Sequence, residues 1–215
     1  MSNIVQRQPT PAWALVGRLP ALFSGLVLFG VGISLLFLAD LGVGPWNVFH
    51  EGLANQIGRS VGTVIVGVGV LMLVLLVLFR QPLGVGTLAN VAIIGVVVDG
   101  MLEFFALPEH LAVRILFMVG SPVVVGFASM LYLGAGLGVG PRDGMMTALM
   151  DAGRSARWAR TSIELAILVV GILLGGTYGV GTVVFALGVG PSYQFFSHRL
   201  WAGWVESTGF GVYRR

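Results

Sequence analysis

The chain has 215 residues, 56% of them hydrophobic and only 10% charged, with a mean hydropathy of +0.94. A soluble domain carries about a quarter of its residues as charges, so this composition excludes one and makes the bilayer the solvent for most of the chain. Cysteine is absent, which removes disulfides, thiolate metal sites and cysteine nucleophiles. The twelve cations are all arginines scattered at the borders of apolar runs, and that scatter argues against nucleic acid as a partner despite a pI near 10.

Residues 1–18 are polar and proline-bearing and read as a cytoplasmic N-terminal segment. They lack the small-residue cleavage pattern of a secretory signal, so the first apolar run is expected to stay as an anchor. A spanning helix needs about 20 mostly apolar residues. Six stretches qualify in chain order: Leu19–Ala39, Val61–Phe79, Gly86–Phe105, Leu111–Leu133, Ser162–Tyr178 and Gly181–Phe196. Residues 200–215, with Trp201, Trp204, Phe210 and Tyr213, read as a cytoplasmic interfacial tail.

The stretches form two copies of one unit. Leu41-Gly42-Val43-Gly44-Pro45-Trp46-Asn47 returns as Leu137-Gly138-Val139-Gly140-Pro141-Arg142-Asp143 at an offset of 96. Gly58-Arg59-Ser60 returns as Gly153-Arg154-Ser155, and Gly84-Val85-Gly86-Thr87 as Gly179-Val180-Gly181-Thr182, both at an offset of 95. The repeats are residues 19–107 and 108–199, with three spans each. An odd number of spans reverses the direction of the second copy, so the expected fold is an all-α membrane protein of six transmembrane helices in two inverted-topology repeats. With a cytoplasmic N-terminus, ten arginines fall on the cytoplasmic side and two, Arg59 and Arg114, on the other, so both termini are expected inside. Trp13, Trp46, Trp158, Trp201 and Trp204 fall at or beyond span ends, where indole rings settle among headgroups.

After its first span each unit has a short helix. Phe49, Leu53 and Ile57 recur at helical spacing between Asn47 and Gly58, and Met145, Met146, Leu149 and Met150 make the matching apolar side. Pro45 and Pro141 suit a first helical turn, Gly44 and Gly140 permit the bend before it, and Asn47 and Asp143 are placed to cap or complement the start. One reading makes these half-helices that dip into the membrane, with their amide ends facing a central site that favours anions. The other makes them amphipathic helices lying on the surface. The GVGT segments read as small-residue packing sites, with no strand–turn–helix context for a dinucleotide.

Ionisable residues within spans are functional candidates. Asp99 and Glu103 lie four apart, and the repeat offset gives Gln194 and His198 as their mates. Glu164 is deeper, with Arg160 one turn before it as an ion-pair partner, and Asn90 is a polar position in the third span. The candidate path residues are therefore Gly44, Pro45, Asn47, Asn90, Asp99, Glu103, Gly140, Pro141, Asp143, Glu164 and Gln194. No zincin, nucleophile-elbow or P-loop pattern is present, so no enzyme, cofactor or metal is expected.

The GVGPWN…GRSVGT…GVGT order, answered by GVGPRDG…GRS…GVGT, resembles the YczE/YyaS-type bacterial integral membrane proteins over roughly Leu19 to Arg199. The resemblance implies the six-span topology and points to no activity. It also implies aspartate where this chain has Asn47. The function expected from inverted repeats with broken segments in matching places is a small secondary transporter or permease of the bacterial inner membrane. Its partners would be the bilayer and a small polar or ionic solute. The rival readings are a non-transporting membrane scaffold or regulator with a cytoplasmic protein partner, and the substrate-capturing subunit of an energy-coupled importer.

Overall fold

Backbone amides and carbonyls in an apolar solvent must bond internally, and the apolar stretches accordingly form helices. In the computed structural model, which describes residues 17–151, 153 and 155–201, no strand occurs among those residues. The helices are α1 (Leu19–Ala39), α2 (Pro45–Ile57), α3 (Val61–Leu78), α4 (Val85–Phe104), α5 (Leu111–Gly134), α6 (Pro141–Asp151), α7 (Ala156–Leu173) and α8 (Val180–Phe196), followed by a π-helical turn at Ser197–Trp201. Four of them, α1, α3, α4 and α5, are long and apolar enough to cross a membrane. Of the other two long helices, α7 carries Arg157, Arg160 and Glu164, and α8 has 17 residues. The chain is thus an all-helical membrane protein. Large side chains on its outer surface are apolar, as with Leu78 at 70% and Val96 at 69% exposure. The first 16 residues and residues 202–215, which hold Trp13, Trp204 and most of the expected tail, lie outside the described residues, as does Arg154.

The fifth apolar stretch differs from its helix. α7 begins at Ala156 and ends at Leu173, where hydropathy places a span over Ser162–Tyr178. The start is fixed by Ser155, whose Oγ accepts the Trp158 amide at 3.2 Å, just as Ser60 accepts the Thr63 amide at 3.3 Å to open α3. The repeated Gly-Arg-Ser is therefore a helix start, and its serine outweighs the polarity of the arginines that follow.

α1 and α5 run antiparallel along their whole length. A Cβ on Gly25 would meet Ala128 O at 3.0 Å, and one on Gly32 would meet the Val125 side chain at 2.6 Å, so the two backbones touch where side chains are missing. At one end Arg114 of α5 caps α1, donating to Ala39 O at 2.8 Å and Asp40 O at 2.6 Å and pairing with the Asp40 carboxylate at 2.9 Å. At the other end the Arg18 guanidinium lies against Gly136, just past α5. Arg18 and Arg114 are 96 residues apart, as are Asp40 and Gly136, so the caps are related by the repeat.

The two units also exchange contacts. Gly181 N, in the second GVGT, donates to Leu41 O at 2.8 Å, and Gly86 N, in the first, donates to Leu137 O at 2.8 Å. Gly42 and Gly138, in the crossing segments, take φ of +100° and +128°, values that disfavour any side chain. Each crossing leaves no room for a Cβ on Gly181 or Gly84. Thr87 and Thr182 close the helix starts, accepting the amides of Gly84 at 3.2 Å and Gly179 at 3.1 Å. The core follows the same rule. One cluster joins Leu22, Tyr132 and Ala135, and the other joins their repeat mates Met118, Leu36 and Ala39. α2 packs on α7 of the other unit, and α6 on α3.

Candidate functional site

Crossing backbones determine where α2 and α6 start. α1 has 21 residues and is about 31 Å long at about 1.5 Å per residue. Antiparallel packing with α5 puts the exits of the two helices at opposite ends of that length, yet the Arg142 guanidinium lies 5.0 Å from the Trp46 ring centre. The reason is that Leu41–Gly44 and Leu137–Gly140 turn back as extended chain, each regaining about 13 Å at about 3.3 Å per residue. α2 and α6 therefore begin level with the middle of α1, and their first turns meet there.

Around that meeting point is a cavity of about 450 Å³, walled by all eight helices. Its lining includes Gly44, Pro45 and Asn47 from one unit and Gly140, Pro141 and Asp143 from the other, so α2 and α6 both present their N-terminal ends to one space. Asn90 lines it from α4, with Nδ2 3.2 Å from where a Cβ on Gly140 would be, and Glu164 lines it from α7. At its rim Arg160 donates to Glu164 Oε1 at 3.0 Å, the pair expected from their spacing.

Three sequence candidates lie elsewhere. Asp99 accepts Ser60 Oγ at 2.5 Å and the Gly62 amide at 2.7 Å, and so anchors the start of α3. It lines a separate depression with Glu103, which is exposed. Gln194 is exposed and outside the lining of the cavity, into which its neighbour Tyr193 faces. The faces that Asp99 and Gln194 occupy are not those of the central space.

The wall also holds Trp46, His50, Tyr132 and Arg142, which were not among the sequence candidates. Trp46, expected among headgroups, is inside, with Arg142 stacked over it and His50 6.2 Å away between ring centres. Tyr132 donates from its hydroxyl to Asp143 Oδ2 at 3.1 Å. Asn47 and His50 are each 2% exposed, and Asn47 Oδ1 and His50 Nδ1 have no hydrogen-bond partner. Asn47 is not the cap expected for α2, because the capping position is Gly44, which has no side chain to offer. Arg142 makes no ion pair or hydrogen bond among the described residues. The one available signal was positional: the residues following GVGP are Trp-Asn in one copy and Arg-Asp in the other.

An all-helical membrane protein with a largely apolar cavity that holds a few polar and charged groups, between two repeated units, is thus the class that fold and site define. The chain belongs to a family of unknown function, DUF6198, whose model matches residues 16–198. It is 34% identical over 186 residues to the uncharacterized membrane protein YczE of Bacillus subtilis, covering 84% of this chain and 86% of that one. An uncharacterized protein of Haemophilus influenzae is 32% identical over 204 residues, covering 91% of this chain and 94% of its own. The uncharacterized protein YyaS of Bacillus subtilis is 28% identical over 167 residues, covering 74% and 82%. The resemblance read from the GVGP and GVGT motifs is therefore a true family relationship. No solved structure shows a significant match.

Proposed function

We propose that this protein is a small secondary transporter of the bacterial inner membrane, built from two three-span repeats of opposite orientation that rock about the central cavity. The observation that carries the reading is the convergence of two half-helix ends, one from each repeat, on one space midway along α1 into which a few polar and charged groups project. Irregular backbone is tolerated at membrane depth where it lines such a space, and paired broken segments near the midplane are a recurrent way to hold a solute. In this reading α7 and α8 complete the six spans, with Arg160 and Glu164 of α7 facing the cavity and its rim. The termini are cytoplasmic by the arginine count, and the reciprocal bonds from Gly181 to Leu41 and from Gly86 to Leu137 are the pivots. Asn47 and His50 form the closed end, and the half-exposed Arg160 marks the open, cytoplasmic end. The path runs through Asn90, Arg142, Asp143 and Glu164, with Asp99 a structural anchor. Lipid and solute are the partners, and no catalytic step or cofactor takes part.

The absence of cysteine makes the test direct. Single cysteines at Asn90 and Asp99 are labelled with a membrane-impermeant thiol reagent in intact cells and in inverted vesicles. Asn90→Cys should react from both faces and Asp99→Cys from the outer face alone. If Asn90→Cys reacts from one face under every condition, the transporter reading fails. The protein is then the capturing subunit of an importer if an ATPase co-purifies, or a scaffold if a cytoplasmic partner does.

A further inference from the structure

The two half-helix ends are equivalent by repeat and unlike in chemistry. The α6 end brings its own carboxylate: Asp143 stands in the first turn, with the Tyr132 hydroxyl donating to it at 3.1 Å. The α2 end has none, since Asn47 occupies that position and the first turn has no acidic residue. The repeat mate of Tyr132 is Leu36, so the α2 side also lacks the phenol that would hold a carboxylate. Pro45 has no amide hydrogen and the Asn47 and Val48 amides donate to Gly44 O at 2.7 and 2.9 Å, so it is chiefly the positive end of the helix dipole that invites an anion there.

Arg142 points to the same vacancy from the other side. Its guanidinium stacks on Trp46, which belongs to the first turn of α2, and makes no ion pair or hydrogen bond among the described residues. Its countercharge on α6, the Asp143 carboxylate, is also held by the Tyr132 hydroxyl, and a charge in a low-dielectric wall is costly unless fully paired. Two further polar atoms are buried and unpartnered on the same wall, Asn47 Oδ1 and His50 Nδ1. The first is an acceptor, and the second is one in the Nε2–H tautomer. Buried acceptors without donors are rare enough to call for a ligand that supplies donors.

Resting on the transport reading for its setting, we infer that the cavity takes a small monocarboxylate that also carries a hydrogen-bond donor, the chemistry shared by amino acids and 2-hydroxy acids. Its carboxylate sits between the Arg142 guanidinium and the first turn of α2, and its amino or hydroxyl group faces Asn47 and His50. The site's two cations, Arg142 and Arg160, already stand beside two carboxylates, Asp143 and Glu164, so the guanidinium on Trp46 and the start of α2 can meet one further negative charge and no more. A phosphate dianion would leave a negative charge uncompensated in a poorly solvating wall. The volume of about 450 Å³ suits a ligand of this size.

The test uses the full chain, purified in detergent, and follows its thermal unfolding with the common amino acids, their 2-hydroxy counterparts, amino-acid amides, simple fatty acids and inorganic phosphate. A subset of the amino or hydroxy acids should raise the melting temperature, and which set does so identifies the donor. Their amides and phosphate should leave it unchanged, and the matching fatty acid should bind about tenfold more weakly or worse, having lost one charge-assisted or neutral hydrogen bond. Stabilisation by amides or phosphate equal to that by the acids overturns the inference, and so does silence across the whole panel. Asn47→Asp, which gives the α2 end a carboxylate of its own to compete with the ligand's for Arg142 and the helix start, should abolish the shift, and Arg142→Lys should weaken it by about tenfold. If either variant fails to fold, the wild-type panel still decides. Binding without two-sided labelling of Asn90→Cys keeps the ligand class and removes transport; two-sided labelling without binding does the reverse.

Discussion

The α2 and α6 ends of the cavity share a backbone and differ in almost every side chain that faces the centre. Where one has Trp46, Asn47 and Phe185, the other has Arg142, Asp143 and Asn90, related position by position through offsets of 95 or 96. Phe185 lies against Gly44, and Asn90 against Gly140, so even the neighbours of the two turns correspond. The glycines, prolines and threonines that make the crossing are kept in both copies. Repetition here preserves scaffold, and chemistry has been assigned unequally to its two halves.

That comparison breaks most severely at the crossings. Gly42→Val and Gly138→Val each force a β-branched residue to positive φ against the other unit's backbone, at a cost of about 3 kcal/mol or more from strain and overpacking together. Both should lose folded protein by size-exclusion profile, and to a similar degree; a large difference would deny the equivalence of the two crossings. Tyr132→Phe sharpens the chemical contrast. It removes the donor to Asp143 and should cost about 1–3 kcal/mol in thermal or denaturant unfolding, because a half-buried carboxylate is left less satisfied. Asp99→Asn should cost about 1 kcal/mol through its bonds to Ser60 and Gly62, leaving labelling at Asn90→Cys unchanged. If labelling changes, Asp99 belongs to the path after all. Glu164→Gln should cost well under 1 kcal/mol in stability, since its pair with Arg160 is partly solvated.

How much of this could be read from the chain depends on whether a feature is local. Pro45 at a first helical turn, the Arg160–Glu164 pair and the short amphipathic α2 and α6 are set by residues a few positions apart, and the sequence shows them. The repeat itself was legible because glycine and proline tolerate few substitutes where backbones turn or touch. The meeting of Trp46 with Arg142 was not legible, because it depends on two extended segments, 96 residues apart, running back along helices that they do not follow in sequence. Hydropathy put Trp46 at a headgroup level because it counts residues along the chain and assumes that depth keeps pace. Asp99 was misplaced for a related reason: spacing put it on a face with Glu103, but only packing decides whether a face meets the cavity or the start of a neighbouring helix.

The exchanged bonds have a consequence for how the protein is made. When residues 19–107 have left the ribosome, the carbonyl of Leu41 and the amide of Gly86 still await partners that lie in the part not yet translated. Water or the insertion machinery must serve them until Gly181 and Leu137 arrive. The first half is thus an unfinished substrate for membrane insertion, exposed to quality control for as long as the second takes to emerge. Slowing synthesis between the halves should therefore lower the yield of intact protein, and supplying the halves as separate chains should restore it only when both are made together.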